Sequence, residues 1–131
     1  MMENKKTYRT GKYLVLPVAE NTTIEAGHMV AVNASGCAVQ ASKAENLKVA
    51  GLAEESVTTG PLETGEITVR RGCFLLANAE DDLLEQPDIL GDCYVVDSET
   101  VGKTAEGSSK AGRVLGFEDG CVWVEMGGIY E

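Results

Sequence analysis

The sequence predicts an all-β fold, a small β-barrel or sandwich of short strands with at most one short helix. Three observations lead there. Fifteen glycines against three prolines in 131 residues supply many tight turns. Short apolar runs recur at close spacing between those turns. No helix-length stretch carries the 3.6-residue periodicity that an amphipathic helix needs to cover a sheet. The length suits one compact unit, and such a chain buries roughly two-thirds of its extended surface, enough to fold without a disulfide or metal staple.

Residues 1–11 are polar and without periodicity, which predicts a flexible arm. Lys12 to Val18 is a β-like run in which Pro17 marks an edge or an end; it can pair with the barrel or with a partner's edge. The expected organisation is an arm over 1–18 and a single barrel domain over 19–131. A hairpin is predicted from Met29–Val32 to Cys37–Ala41 around Asn33-Ala34-Ser35-Gly36. Lys48–Ala53 reads as a strand whose interior Gly51 implies a bulge or a close backbone approach. In Glu66–Arg70, period-two alternation turns Ile67 and Val69 inward. Cys73–Leu76 and Cys93–Asp97 follow as strands. Between them, Glu80–Gln86 before Pro87 is the only plausible helix, one to two turns long, with acids at its start. A loop near Gly102–Gly112 leads to Arg113–Glu118, and Asp119-Gly120 before Cys121–Glu125 is the strongest hairpin signal of the chain.

Charge is unevenly placed. Residues 1–12 carry +3 and the rest of the chain −13, for a net −10. A body that acidic repels phosphate backbones, so nucleic acid is not an expected partner. No apolar run approaches the roughly 18 residues of a membrane-spanning helix, and no secretory h-region follows Lys5 and Lys6. Cys37, Cys73, Cys93 and Cys121 show no paired metal or redox spacing and sit where turns hand over to strands. They read as reduced, buried or half-buried structural thiols of a cytosolic chain.

Motifs for chemistry fail one by one. Val101-Gly102-Lys103-Thr104 ends like a phosphate-binding loop, but the position that needs the first glycine is Asp97 and no helix follows. His28 is the one histidine, set in a turn, and no serine or cysteine has a nucleophile-elbow context. Glu80-Asp81-Asp82 lacks the alternating spacing of a calcium loop. Glu54 and Glu55 are adjacent and would point to opposite faces of a strand. The sequence therefore predicts no enzyme, no cofactor and no metal.

The order of elements is the informative feature. Ile24-Glu25-Ala26-Gly27-His28-Met29-Val30-Ala31-Val32 is followed by Lys48-Val49-Ala50-Gly51-Leu52-Ala53 and Gly65-Glu66-Ile67-Thr68-Val69-Arg70-Arg71-Gly72. Then come Leu90-Gly91-Asp92-Cys93-Tyr94-Val95, Gly112-Arg113-Val114-Leu115-Gly116-Phe117 and Cys121-Val122-Trp123-Val124. Over about residues 24–125 this series resembles the head decoration, or capsid cement, proteins of tailed bacteriophages and prophages. The four cysteines and the comparatively long arm depart from the pattern. The resemblance implies a β-barrel, usually trimeric, that sits on the capsid surface of a virion assembled in the bacterial cytoplasm and engages the major capsid protein through its arm. The expected partner-binding residues are Lys5, Lys6, Tyr8, Arg9, Lys12 and Tyr13, with backbone pairing from Lys12–Val18. A symmetric homotrimer is also expected because exposed apolar edge strands need cover. The alternatives are a ligand-binding or enzymatic barrel with a site between subunits, and a phage tail or baseplate component.

Overall fold

The computed structural model describes residues 11–127. They form two five-stranded closed barrels and one two-stranded ribbon. The first half contributes β1 (Tyr13–Val18), β2 (Thr23–Ile24), β3 (Met29–Val32), β4 (Ala38–Gln40), β5 (Lys48–Ala53), β6 (Val57–Thr58) and β7 (Gly65–Arg70). The second half contributes β8 (Gly72–Asn78), β9 (Asp92–Asp97), β10 (Thr100–Gly102), β11 (Lys110–Glu118) and β12 (Cys121–Met126). The all-β class is as the sequence predicts. The expected single barrel is two.

Both barrels have the same connectivity. In the first, β1 closes against β4 in parallel, and β3, β5 and β7 complete the ring antiparallel, in the order β1-β4-β3-β5-β7. In the second, β8 closes against β10 in parallel and the order is β8-β10-β9-β11-β12. Matching positions carry matching residues. Ala19-Glu20 after β1 corresponds to Ala79-Glu80 after β8, and Ala50-Gly51 in β5 to Ala111-Gly112 in β11. The glycines are required: a Cβ on Gly51 would overlap the Arg70 carbonyl oxygen, and one on Gly112 the Glu125 carbonyl oxygen. β5 and β7, like β11 and β12, can meet only where no side chain intervenes.

The arm boundary moves. Tyr13–Val18 pairs along its whole length with β7, so it belongs to the first barrel and not to an arm ending at residue 18. Leu14 and Leu16 alternate inward between the exposed Tyr13, Val15 and Pro17, and Val18 is buried. Pro17 stands opposite Glu66, one residue before the ladder ends at Val18 and Gly65.

The first barrel encloses Val18, Ile24, Val30, Ala38, Ile67 and Val69. A larger cluster fills the second barrel with Val95, Val101, Val114, Val122 and Val124, and continues to Met29 and Ala31 on β3. Met29, Val30 and Ala31 are all fully buried, because one face of β3 lines its own barrel and the other packs on the second. That explains the unbroken apolar run. β7 passes into β8 through Arg71, which also gathers the start of β1 and the end of β12: its amide donates to the Lys12 carbonyl at 2.8 Å and its Nε to the Gly127 carbonyl at 2.6 Å.

The predicted helix over Glu80–Gln86 is absent; only a 3-10 turn at Gln86–Asp88 forms. Asn78 captures Leu84 through two bonds, Leu84 N to Oδ1 and Nδ2 to the Leu84 carbonyl, both 3.0 Å. These bonds fix a loop where a helix would need the same backbone groups. Pro87 then suits the start of the short turn. The Asp119-Gly120 hairpin forms with φ of +51° and +78°, the left-handed pair that a two-residue hairpin turn requires.

Candidate functional site

Of the expected partner-binding residues, Lys5, Lys6, Tyr8 and Arg9 lie outside the described residues. Lys12 and Tyr13 stand together at the start of β1, the Lys12 Nζ 5.9 Å from the centre of the Tyr13 ring. Tyr13 is 42% and Val15 59% exposed. With Pro17 they form an apolar strip on the outer face of the first barrel, opposite Arg70, Thr68 and Glu66 of β7. A second group of exposed apolar side chains lies on the outer face of β8, β11 and β12, beside the Arg113–Glu125 pair. There Trp123 lies opposite Leu75 on one side and Gly116 on the other, with Leu115 exposed at a bulge beside it. The Trp123 Nε1 donates to Glu118 at 3.0 Å.

Closure of both barrels removes the exposed edge strands on which the trimer expectation partly rested.

Between the barrels runs a cleft of about 780 Å³ with Leu14, Val32 and Leu47 among its apolar lining. Lys48, Arg71, Lys110 and Arg113 line it too, against the single carboxylate of Glu125. Lys110 pairs with Asp92 at 3.1 Å and Arg113 with Glu125 at 3.2 Å. Sequence reading missed this site because its cations come from three separate segments, β5, the β7–β8 junction and β11, that only the pairing of the barrels unites.

His28 stands at the other side of the joint. Its Nδ1 lies 2.7 Å from the Ser98 Oγ, and its Nε2 lies 3.6 Å from both Glu25 and Glu99. The grouping of serine, histidine and carboxylate is what nucleophilic catalysis requires, but acyl transfer also needs free N–H donors for the oxyanion. The Glu99 amide next to Ser98 is bound to Asp97 Oδ1 at 2.8 Å, and the Met29 amide to the Ser98 carbonyl at 2.9 Å. His28 and Ser98 therefore act as a latch between β3 and the β9–β10 turn.

The segment that resembles a phosphate loop is filled by the protein's own carboxylate. Asp82 accepts from Lys103 N at 3.0 Å, Thr104 N at 2.8 Å and Thr104 Oγ1 at 2.7 Å. A Cβ on Gly102 would come within 2.6 Å of Asp82 Oδ2. Lys103 reaches Asp88 at 3.7 Å and Glu85 at 3.9 Å. Burial works to raise the Asp82 carboxyl, but the bonds from Thr104 and Lys103, with Lys43 nearby, outweigh it and hold the group below its ordinary value. A depressed carboxyl stabilises the loop fully above its unfolded pKa of about 4, and the contribution is lost as pH falls through the lower folded value. The amide signals of Lys103 and Thr104 are expected to keep their neutral-pH positions until more acid conditions than an ordinary carboxylate tolerates. Asp82→Ala is expected to cost about 1–2 kcal/mol of stability. An acid midpoint at the ordinary carboxylate value would refute the role of Asp82.

All four cysteines are free. Cys93 is buried as expected and Cys37 and Cys121 are half-buried, but Cys73 is exposed because β8 alternates and Phe74 and Leu76 take the inner positions. Burial, with Asp92 beside it and against the hydrogen bond to Gly112, pushes the Cys93 thiol up to about 12. Burial and the Glu125 charge also raise Cys73. Alkylation at neutral pH is expected to reach Cys73 first, slowly for an exposed thiol, and Cys93 only after unfolding. Peptide mapping by mass spectrometry checks the order, and equal labelling of Cys93 and Cys73 in the native protein would contradict it.

No group of three or more His, Cys, Asp and Glu side chains that could hold a metal ion occurs among the described residues. No family model, curated protein or solved structure matches the chain.

Proposed function

We propose that the chain is a structural head decoration protein of a tailed phage or prophage, a non-catalytic homotrimer that stabilises the capsid shell by binding the major capsid protein. One observation carries the reading: the strand that continues from the basic segment of residues 1–12 lies on the barrel surface and presents Tyr13, Val15 and Pro17 outward. Basic side chains and an apolar strip thus form one continuous anchoring element on a body of net negative charge. Lys5, Lys6, Tyr8, Arg9, Lys12 and Tyr13 supply the contacts, the cations steering toward acidic capsid loops and Tyr13 with Val15 giving buried area. The order of sequence elements, which resembles that of decoration proteins, adds to it.

Co-sedimentation with heads assembled from the major capsid protein of the same genome tests the proposal. The full chain should bind. Deletion of residues 2–10 and the substitution Val15→Glu should each weaken binding by about tenfold or more, and about 0.5 M salt should weaken what remains. Equal binding by the full chain and both variants would remove the arm and β1 from the interface.

A further inference from the structure

We propose that the acidic loop between β8 and β9 of one copy docks in the inter-barrel cleft of the next, forming a head-to-tail ring. The inference rests on the homo-oligomer part of the reading above and not on its capsid part.

The cleft selects a short anionic segment with an aliphatic side chain. Four of the eleven basic residues of the chain converge on it in a protein of net charge −10. Lys48 forms no ion pair with a described residue, and the Arg71 Nε is held by the Gly127 carbonyl, which fixes that guanidinium at the rim. The apolar lining would gain nothing from a phosphate chain, and the acidic body repels one.

The loop is the matching object. Glu80, Asp81 and Glu85 are exposed around Leu83, itself 46% exposed, an outward apolar side chain framed by acids. It is also preorganised. The bonds of Asn78 to Leu84 and of Asp82 to Lys103 and Thr104 hold the backbone, so docking orders little new chain.

Loop and cleft stand at opposite ends of one strand. The cleft lies at the start of β8, where Met126 pairs with Gly72, and the loop leaves β8 beyond Asn78. Seven residues of strand separate them by roughly 20 Å. Sites at opposite ends of a rigid element cannot meet within one copy, and between copies they make a heterologous contact that closes into a ring when the rotation permits. Two copies of charge −10 repel overall, so their contact needs such a local match of opposite charge.

The test uses the full chain in size exclusion with light scattering across a concentration series. The wild type should run as a multiple of 13.9 kDa. Lys48→Glu and Asp81→Lys should each raise the concentration for half-assembly by about tenfold or more, and the double variant should recover most of the loss. Arg70→Glu, a charge reversal on β7 outside both the cleft lining and the loop, should have little effect. Assembly indifferent to Lys48→Glu and Asp81→Lys would overturn the inference and leave the oligomer standing, as would loss only with Trp123→Glu on the outer face of the second barrel. Failure of the double variant to recover would also overturn it. A monomer throughout would overturn both the ring and the trimer, with head binding still read separately by co-sedimentation.

Discussion

Gly51→Ala and Gly112→Ala are each expected to destabilise the fold by about 3–5 kcal/mol, a large part of the 5–15 kcal/mol typical of a domain. In both, the new methyl would occupy the space of a carbonyl oxygen on the neighbouring strand, Arg70 for Gly51 and Glu125 for Gly112. Backbone cannot swing aside as a side-chain tip can, so the ladder must part. Gly51 adds strain of its own, with φ at +153°. Gly116→Ala provides the control, since it is also in a strand but has nothing within 4 Å of the new atom. Thermal unfolding should place both close-approach variants about 10 °C or more below Gly116→Ala. If all three melted together, the tight approach of β5 to β7 and of β11 to β12 would be wrong.

Removal of residues 2–18 is expected to abolish the first barrel, whereas removal of 2–10 leaves every described strand in place. β1 supplies the whole register opposite β7 and the parallel closure onto β4 at Val18 and Ala38. Without it, β7 and β4 become open edges and the inner side chains of Ile67 and Val69 face water. Because β3 is shared between two cores, the damage should reach the second barrel, and the longer deletion should be largely unfolded or aggregated at room temperature. Amide exchange and circular dichroism on the two truncations separate these outcomes. A longer truncation that kept the wild-type melting point would return β1 to the arm.

Much of the fold is legible in local sequence. Asp119-Gly120 and the Asn33–Gly36 turn are local chemistry, and both hairpins form as read, with the Asn33 Oδ1 accepting from the amides of Ser35 and Cys37. Ile67 and Val69 alternate inward because β7 has one wet face. The doubling of the barrel was written less loudly. Ala50-Gly51 and Ala111-Gly112 repeat, but the surrounding side chains differ, and a glycine forced by close approach looks the same as one that makes a turn. The very short strands β2, β6 and β10 carry too few residues for any period, and β2 and β6 exist only because their partners reach them. The latch of His28 on Ser98 joins residues 70 apart, and the cleft draws its cations from distant segments, so neither has a local signature. The Glu80–Gln86 helix fails for a related reason. Its acids suit a helix start, but Asp82 and Asn78 commit their bonds to the loop.

Arg71 holds Lys12 and Gly127 by one residue's backbone and side chain, so the entry to the first strand and the exit from the last share a single corner of the molecule. The point at which the covalent chain opens is therefore not fixed by the fold. A short linker from 127 to 11, with a new opening at the exposed Asn33–Gly36 turn, would draw the same rings in a permuted chain. The same corner gives two joining points side by side, since a segment fused directly at residue 11 or at residue 127 starts from one place on the molecule.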